Sequence, residues 1–425
     1  VIRGLTALCL ILVSHLSAQS IPAAQAGQLP AGGAGILSLD DVLLLAARHN
    51  PRLRASGAAV EVARGAVLTA KSYANPTVTL GSLGRQRALA DGAVPGMLHG
   101  FTVNQPLELP KVRQARISSA TIGLESSRYN LAETEMTVRG SVKLAFYGLL
   151  RRKAEFEVAR ENLKLLEELR QRIEVQVRVG EAARLELTRA DAEVAAAKIQ
   201  VQTAELRRAA ALATLDATVG TQLEGFEFST ALDPPVNLPP LGQLRAELLK
   251  RHPAIAMAEA ETRRAEANLG LQRALRVPQP TFWADVLRQP DVSQYRYGVT
   301  LDLPLWNRRE GPIAEAVGEQ RHAAALAGQR RLEMVATLER AYSLYEVTSQ
   351  QMRMFEAGTL RVAEAAVQAA EAAFRFGERS IVEVLDARRV LRAARIDYLN
   401  SQFDRQEALV ELEQLGVVDT RGGRP

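Results

Sequence analysis

Apolar positions along the chain follow two periods. Tyr295, Tyr297, Val299, Leu301 and Leu303 occupy one face of a run, and Arg296, Gly298, Thr300 and Asp302 the other, the period of two expected of a β-strand. Phe101, Val103, Gln105 and Leu107 repeat it less purely. Runs near 77–86 and 281–288 complete two hairpins, turning at Arg87–Met97 (with Asp91-Gly92 and Pro95-Gly96) and at Gln289-Pro290-Asp291. Elsewhere the period is helical. One helix is predicted over about 38–73 and another over about 241–276, stopped by Pro76 and by Pro278 and Pro280. Two long helical stretches follow the hairpins, about 112–178 with 184–219 and about 310–375 with 381–415. In the first, Val142, Leu149, Phe156 and Leu163 recur every seven residues, with Ala145, Ala159, Leu166 and Ile173 at d-like positions. The return helix carries Leu187, Ala190, Val194, Ala197, Val201 and Ala204, which is a coiled-coil seam. A helix over 112–178 would reach about 100 Å.

These elements occur twice in the same order. Leu39–Pro51 recurs as Leu241–Pro253, Pro106-Leu107 as Pro304-Leu305, and Arg178-Val179-Gly180-Glu181 as Arg375-Phe376-Gly377-Glu378. Val219-Gly220 closes one copy and Leu415-Gly416 the other. The reading is a tandem duplication, with a first repeat over 36–230, a Pro-rich linker over 231–240, a second repeat over 241–417 and a flexible tail over 418–425. His49 and His252, each near a proline, are read as equivalent helix-end positions.

Composition narrows the class. In 425 residues, 47% are hydrophobic and 24% charged, which argues against disorder. No apolar run is long enough for a membrane helix, but alternating strands give little hydropathy signal, so a membrane barrel stays open. Arg3–Val13 reads as the core of a secretory signal peptide over 1–26, with Ala24-Gln25-Ala26 as a cleavage site. The single cysteine, Cys9, falls inside it, and Thr6-Ala7-Leu8 lacks the small residue of a lipidation signal. The net charge of +5 comes with arginines that alternate with glutamate along helices, such as Arg151-Arg152-Lys153, without interleaved aromatics, so nucleic acid is not an expected partner.

Four strands cannot close a barrel, and helices of about 100 Å exceed what a compact domain of this length packs. Both difficulties vanish if several chains assemble. Three would supply twelve strands for one closed barrel, with a helical cylinder continuing from it. Tyr295 and Tyr297, near a loop end, then suit the aromatic girdle of an outer-membrane barrel, although an ordinary sandwich face also accommodates them.

The paired repeat starts, the strand-then-helix joints and the tips R-V-G-E and R-F-G-E resemble the TolC-like outer-membrane efflux proteins over nearly the whole mature sequence. Leu303-Pro304-Leu305-Trp306-Asn307-Arg308-Arg309-Glu310-Gly311 and Gln105-Pro106-Leu107-Glu108-Leu109-Pro110-Lys111 resemble its heavy-metal (cobalt-zinc-cadmium) branch. The resemblance implies a mainly α fold with a small β part: a trimeric twelve-stranded outer-membrane barrel continuous with a coiled-coil tunnel in the periplasm of a Gram-negative bacterium. It implies a homotrimer in outer-membrane lipid, a periplasmic membrane-fusion adaptor and an inner-membrane RND-type pump as partners. By the same resemblance the adaptor docks on Arg178, Val179, Gly180, Glu181, Arg375, Phe376, Gly377 and Glu378. Arg379 matches a gate arginine that latches neighbouring helices, Glu383 and Asp386 match acidic positions ringing the aperture, and Glu186 is their first-repeat equivalent. Phe374 stands where some relatives carry a tyrosine, so that hydroxyl is missing from the latch. The implied function is a passive exit duct for heavy-metal cations. A multidrug or type I protein-secretion duct, or a periplasmic coiled-coil protein with no pore, are the alternatives.

No cofactor and no protein-held metal site are expected, because His15, His49, His99, His252 and His322 form no metal-binding pair. Gly32, Gly33 and Gly35 lack the Lys-Ser/Thr ending of a phosphate loop, and no catalytic constellation stands out from the coiled-coil charges. An enzyme is therefore not expected.

Overall fold

The structure, a computed structural model, describes residues 35–87, 94–181, 183–230, 237–376 and 378–418. The signal segment, Asp91-Gly92, most of the Pro-rich linker, Gly377 and most of the tail lie outside the described residues. A two-residue strand β1 (Ile36–Leu37) leads into α1 (Leu39–His49) and α2 (Pro51–Lys71), then β2 (Thr77–Gln86), β3 (Gly96–Pro106), α3 (Pro110–Arg178) and α4 (Arg184–Val219). After β4 (Glu227–Phe228), which pairs in parallel with β1, come α5 (Leu241–Arg251), α6 (Pro253–Ala274), β5 (Pro280–Arg288) and β6 (Ser293–Leu301). Then follow α7 (Glu310–Met354), a π-helical turn (Phe355–Thr359), α8 (Leu360–Arg375) and α9 (Ile381–Gln414).

Each helix expected at the start of a repeat is in fact two. Proline disfavours the α conformation in the residue before it, and Asn50 and His252 both turn extended, with ψ of 122° and 128°. Each caps the next helix: Asn50 Oδ1 accepts from the N–H groups of Arg52 and Leu53, and His252 Nδ1 accepts from that of Ala254. The counterpart of His252 is therefore Asn50, and His49 belongs to the last turn of α1. Each cap also reaches the far end of its repeat. Asn50 Nδ2 donates to the Thr218 carbonyl at 2.7 Å, and His252 Nε2 lies 3.4 Å from the Gln414 carbonyl. Those carbonyls sit two residues before Gly220 and Gly416, both at positive φ. A Cβ on Gly220 would fall 2.8 Å from the His49 carbonyl oxygen, so only glycine allows this approach.

The His252 cap makes stability respond to pH. Burial holds its pKa below the ordinary 6.5, because the charged imidazolium would lose water. The unfolded chain therefore takes up the proton first as pH falls. The stabilisation from neutral His252 is complete above about pH 6.5 and drains away as pH drops toward the lowered folded value. His252→Asn, which installs the first repeat's cap, is expected to flatten this dependence. Unfolding midpoints of wild type and variant between pH 7.5 and 5 would show it, and parallel curves would contradict the assignment.

The second long helix also departs from expectation. It breaks at Phe355–Thr359, where Gly358 adopts φ 139°, a value open to a residue without Cβ. Thr359 Oγ1 closes the turn by donating to the Met354 carbonyl at 3.0 Å. The first repeat's α3 runs unbroken for 69 residues, about 100 Å.

The seam read from the heptads is largely buried. Val142, Leu149, Leu166 and Ile173 of α3 are buried, as are Ala190, Val194 and Ala197 of α4. Three clusters result. One joins α1, the middle of α3 and the end of α4; one joins α5, α7 and α9; one, near the helical tips, joins α3, α4 and the start of α9.

Candidate functional site: a two-faced sheet and the helical tips

The four longer strands form one antiparallel sheet in the order β2-β3-β5-β6, so the two expected hairpins join through β3 and β5. Register sorts the side chains into two faces, because directly paired residues point the same way. One row reads Val78, Val103, Ala284, Tyr297; the next reads Leu80, Phe101, Val286, Tyr295. Phe282 with Val299, and Pro280 with Leu301, extend the same face. Tyr297 is 81% exposed and Leu80 72% exposed. An apolar face spanning four strands thus has no cover among the described residues.

The opposite face is polar. Thr102 Oγ1 donates to Asp285 Oδ1 at 2.8 Å, and Arg296 Nε donates to Asp285 Oδ2 at 2.9 Å, tying β3, β5 and β6 together. Gly298 makes room for the Trp283 ring, which a Cβ there would approach to 2.7 Å. Both edge strands, β2 and β6, keep an open side. At the sheet–helix joint, Leu107 N–H donates to the Pro280 carbonyl, and the Gln279 side chain accepts from Leu109 N–H. Arg113 stacks 4.5 Å over the Tyr73 ring and donates to the Lys71 carbonyl. Strands and helices are thereby welded rather than hinged.

At the far end of the helices, α3 ends at Val179 in a paired turn. Gly180, at φ 84°, donates to the Val177 carbonyl, and Glu181 N–H to that of Gln176. The second tip repeats the outer bond, with Glu378 N–H donating to the Ala373 carbonyl. Val179 and Phe376 are 62% and 77% exposed. Arg178, Glu181, Arg375 and Glu378 are exposed too. Arg178 bonds Glu174 one turn back.

The residues matched to a gate come together only in part. Arg379 Nη1 donates to Glu383 Oε1 at 3.0 Å, a pair within one stretch of chain rather than between helices. Asp386 is exposed one turn further along α9, beside a groove whose other wall carries Glu193 of α4, which pairs with Arg389. Glu186 is half-exposed in the first turn of α4, and Phe374 packs against the tip cluster. Tyr295 and Tyr297 lie at the opposite end of the molecule. Sequence reasoning missed the Thr102–Asp285–Arg296 network. All three are polar members of alternating runs, and only the register shows that they meet. Among the described residues, no group of three or more His, Cys, Asp or Glu is placed to hold a metal ion, and no helix is long and apolar enough to cross a membrane.

Comparison with known proteins bears on this geometry. The profile of a family described as outer membrane efflux protein matches residues 42–221 and again 244–416. The cobalt-zinc-cadmium resistance protein CzcC of Cupriavidus metallidurans is 25% identical over 388 residues, covering 91% of each chain. The pyoverdine export outer membrane protein OpmQ of Pseudomonas aeruginosa is 25% identical over 405 residues, covering 89% of this chain and 84% of that one. The solved structure of CusC superimposes with a TM-score of 0.78 at 19% identity, covering 90% of this chain and 94% of that one.

Proposed function

The chain belongs to the outer membrane efflux protein family, the outer-membrane channels of tripartite pumps, and from that membership we propose that three copies join their sheets into one twelve-stranded barrel over a helical tunnel and serve as a passive exit duct for heavy-metal cations. The observation that carries this reading is the sheet. Its apolar face needs lipid, its polar face needs water, and its two open edges need partners, and a closed barrel meets all three demands. Nothing in the duct requires catalysis or a cofactor. An RND-type pump and a periplasmic adaptor would load it at the helical tips, where Arg178–Glu181 and Arg375–Glu378 form the docking surface.

The metal reading draws on the likeness to CzcC; the equal identity to OpmQ, named for pyoverdine export, is the reason to test it directly. A deletion strain is expected to become sensitive to zinc, cobalt or cadmium. Wild-type resistance to all three would remove the metal reading and leave the duct intact. Conductance in a planar bilayer, with a heat-sensitive trimer in outer-membrane fractions, tests the duct itself. A soluble monomer would defeat it.

Threefold symmetry would bring three copies of Glu383 and of Asp386 into a narrow mouth, where a carboxylate ring attracts cations and repels anions. The Arg379–Glu383 pair is local and exposed, worth about 0.2–1 kcal/mol, so Arg379 is readily released to latch a neighbouring helix in the proposed trimer. Glu383→Ala with Asp386→Ala is expected to raise leak and lower cation preference in bilayer recordings. Unchanged selectivity would remove these residues from the aperture.

A further inference from the structure

At the turn end of the sheet, the apolar face gives way to a cluster of basic groups. Arg288 of β5 pairs directly with His99 of β3. Arg85 of β2 pairs with Met97, two residues from His99 on the same strand and the same face. Register puts all three on the side of Phe101, Val286 and Tyr295, His99 and Arg288 one row beyond the last apolar row and Arg85 in the row after that. Directly opposed side chains in such a sheet lie about 5 Å apart and diagonal ones about 7–8 Å. Here His99 and Arg288 are directly opposed and Arg85 is diagonal to His99, within reach of a shared anion for side chains as long as arginine.

The cluster has no such anion among the described residues. Arg85, His99 and Arg288 are exposed and make no ion pair among the described residues, whereas Arg296, on the polar face, is neutralised by Asp285. Asp291, in the neighbouring turn, pairs with none of them. The three sit at the end away from the helices, which in the proposed duct is the outer leaflet, and they point toward lipid rather than into the pore.

From this geometry we infer that Arg85, His99 and Arg288 form a binding site for a phosphate group of the phosphorylated glycolipid of the outer leaflet. The acyl chains of that lipid would lie against the Leu80–Phe101–Val286–Tyr295 row directly below. Guanidinium groups chelate phosphate oxygens with paired N–H bonds, and basic groups bordering a membrane's apolar band recruit anionic headgroups. The inference rests on the barrel reading.

The test is native mass spectrometry of the full-length detergent-solubilised assembly with added lipid A, bisphosphorylated or enzymatically dephosphorylated. Wild type is expected to retain the bisphosphorylated form at least tenfold better. The triple change Arg85→Gln, His99→Gln, Arg288→Gln is expected to lose that preference, whereas Arg85→Lys with Arg288→Lys keeps it, as does Arg308→Gln near the helical end of the sheet. Equal retention of the two lipid forms by wild type, or an unchanged preference in the triple variant, would overturn the site. If the triple variant does not assemble, Arg288→Gln alone is scored by the same criterion. Conductance and trimer recovery, measured on the same samples, separate failure of this site from failure of the duct.

Discussion

Val299→Arg is expected to reduce the trimer recovered from outer membranes to a tenth or less, while Thr300→Arg leaves it near the wild-type level. The two residues are neighbours in β6, pair with Phe282 and Thr281 of β5, and differ only in the face they occupy. Val299 lies inside the apolar face, two residues from Leu301 and two from Tyr297. An arginine facing lipid near the bilayer middle costs about 2–4 kcal/mol in a membrane barrel. The proposed trimer carries the change three times, and each 1.4 kcal/mol is a factor of about ten in an equilibrium. Thr300 is on the side of Asp285 and Arg296, where the proposed barrel holds water, so an arginine there keeps its hydration. A sandwich packed face to face would also bury Val299 and spare Thr300, so what marks the barrel is that the recovered species is a trimer in the outer membrane. Heat-modifiable mobility of outer-membrane fractions reads the result, and equal recovery of the variants would refute the face assignment.

The faces were legible in the sequence because the strand period is two and Tyr295–Leu303 keeps it without interruption. What the alternation could not show was which runs pair. Thr102, Asp285 and Arg296 are far apart along the chain, and no local rule brings them together. The coiled-coil seam was legible for the same reason as the strands, since Val142 to Ile173 repeats the heptad, with Leu166 and Ile173 clustering with Ala190, Val194 and Ala197, and Val142 and Leu149 with Leu215 and Val219 at the end of α4. The breaks were harder to read. In the sequence Pro51 and Pro253 only close a repeated motif, whereas in the structure each divides a helix and hands the cap to Asn50 or His252. Gly358 carries no signal beyond being a glycine in an alanine-rich helix, and nothing in that local pattern announces its positive φ. The gate assignment gains least from the single chain. Arg379 pairs locally with Glu383, and a contact between subunits depends on atoms that one protomer does not contain.

The second large effect concerns a charge that sequence reading passed over. Lys143 looks like one more solvated residue of α3, yet it is 2% exposed and its ammonium bonds Glu413 of α9, joining the first repeat to the second. Its surroundings explain why it stays. Gly140, one turn earlier, lies directly under the Gln414 side chain, so α3 and α9 approach closely, and Lys143 and Glu413 meet at the edge of a cleft that both residues line. Removing one partner from such a pair leaves the other charge desolvated, at a cost of about 3–5 kcal/mol, whereas replacing both with apolar groups of similar volume is close to neutral. Lys143→Ala is therefore expected to lower the unfolding temperature of the assembly strongly, and Lys143→Met with Glu413→Leu to recover most of the loss. Protein concentration must be held fixed, because an oligomer's midpoint depends on it. Salt separates this pair from the exposed ones. At about 1 M salt the screening length is about 3 Å, which suppresses exposed pairs such as Arg379–Glu383 far more than a largely buried one. A Lys143→Ala deficit that persists at high salt and vanishes in the double variant would make the pair a buried clamp between the repeats. A deficit that salt abolishes would make it a surface contact, one among the inter-repeat pairs such as Arg389–Glu193 and Arg151–Asp404.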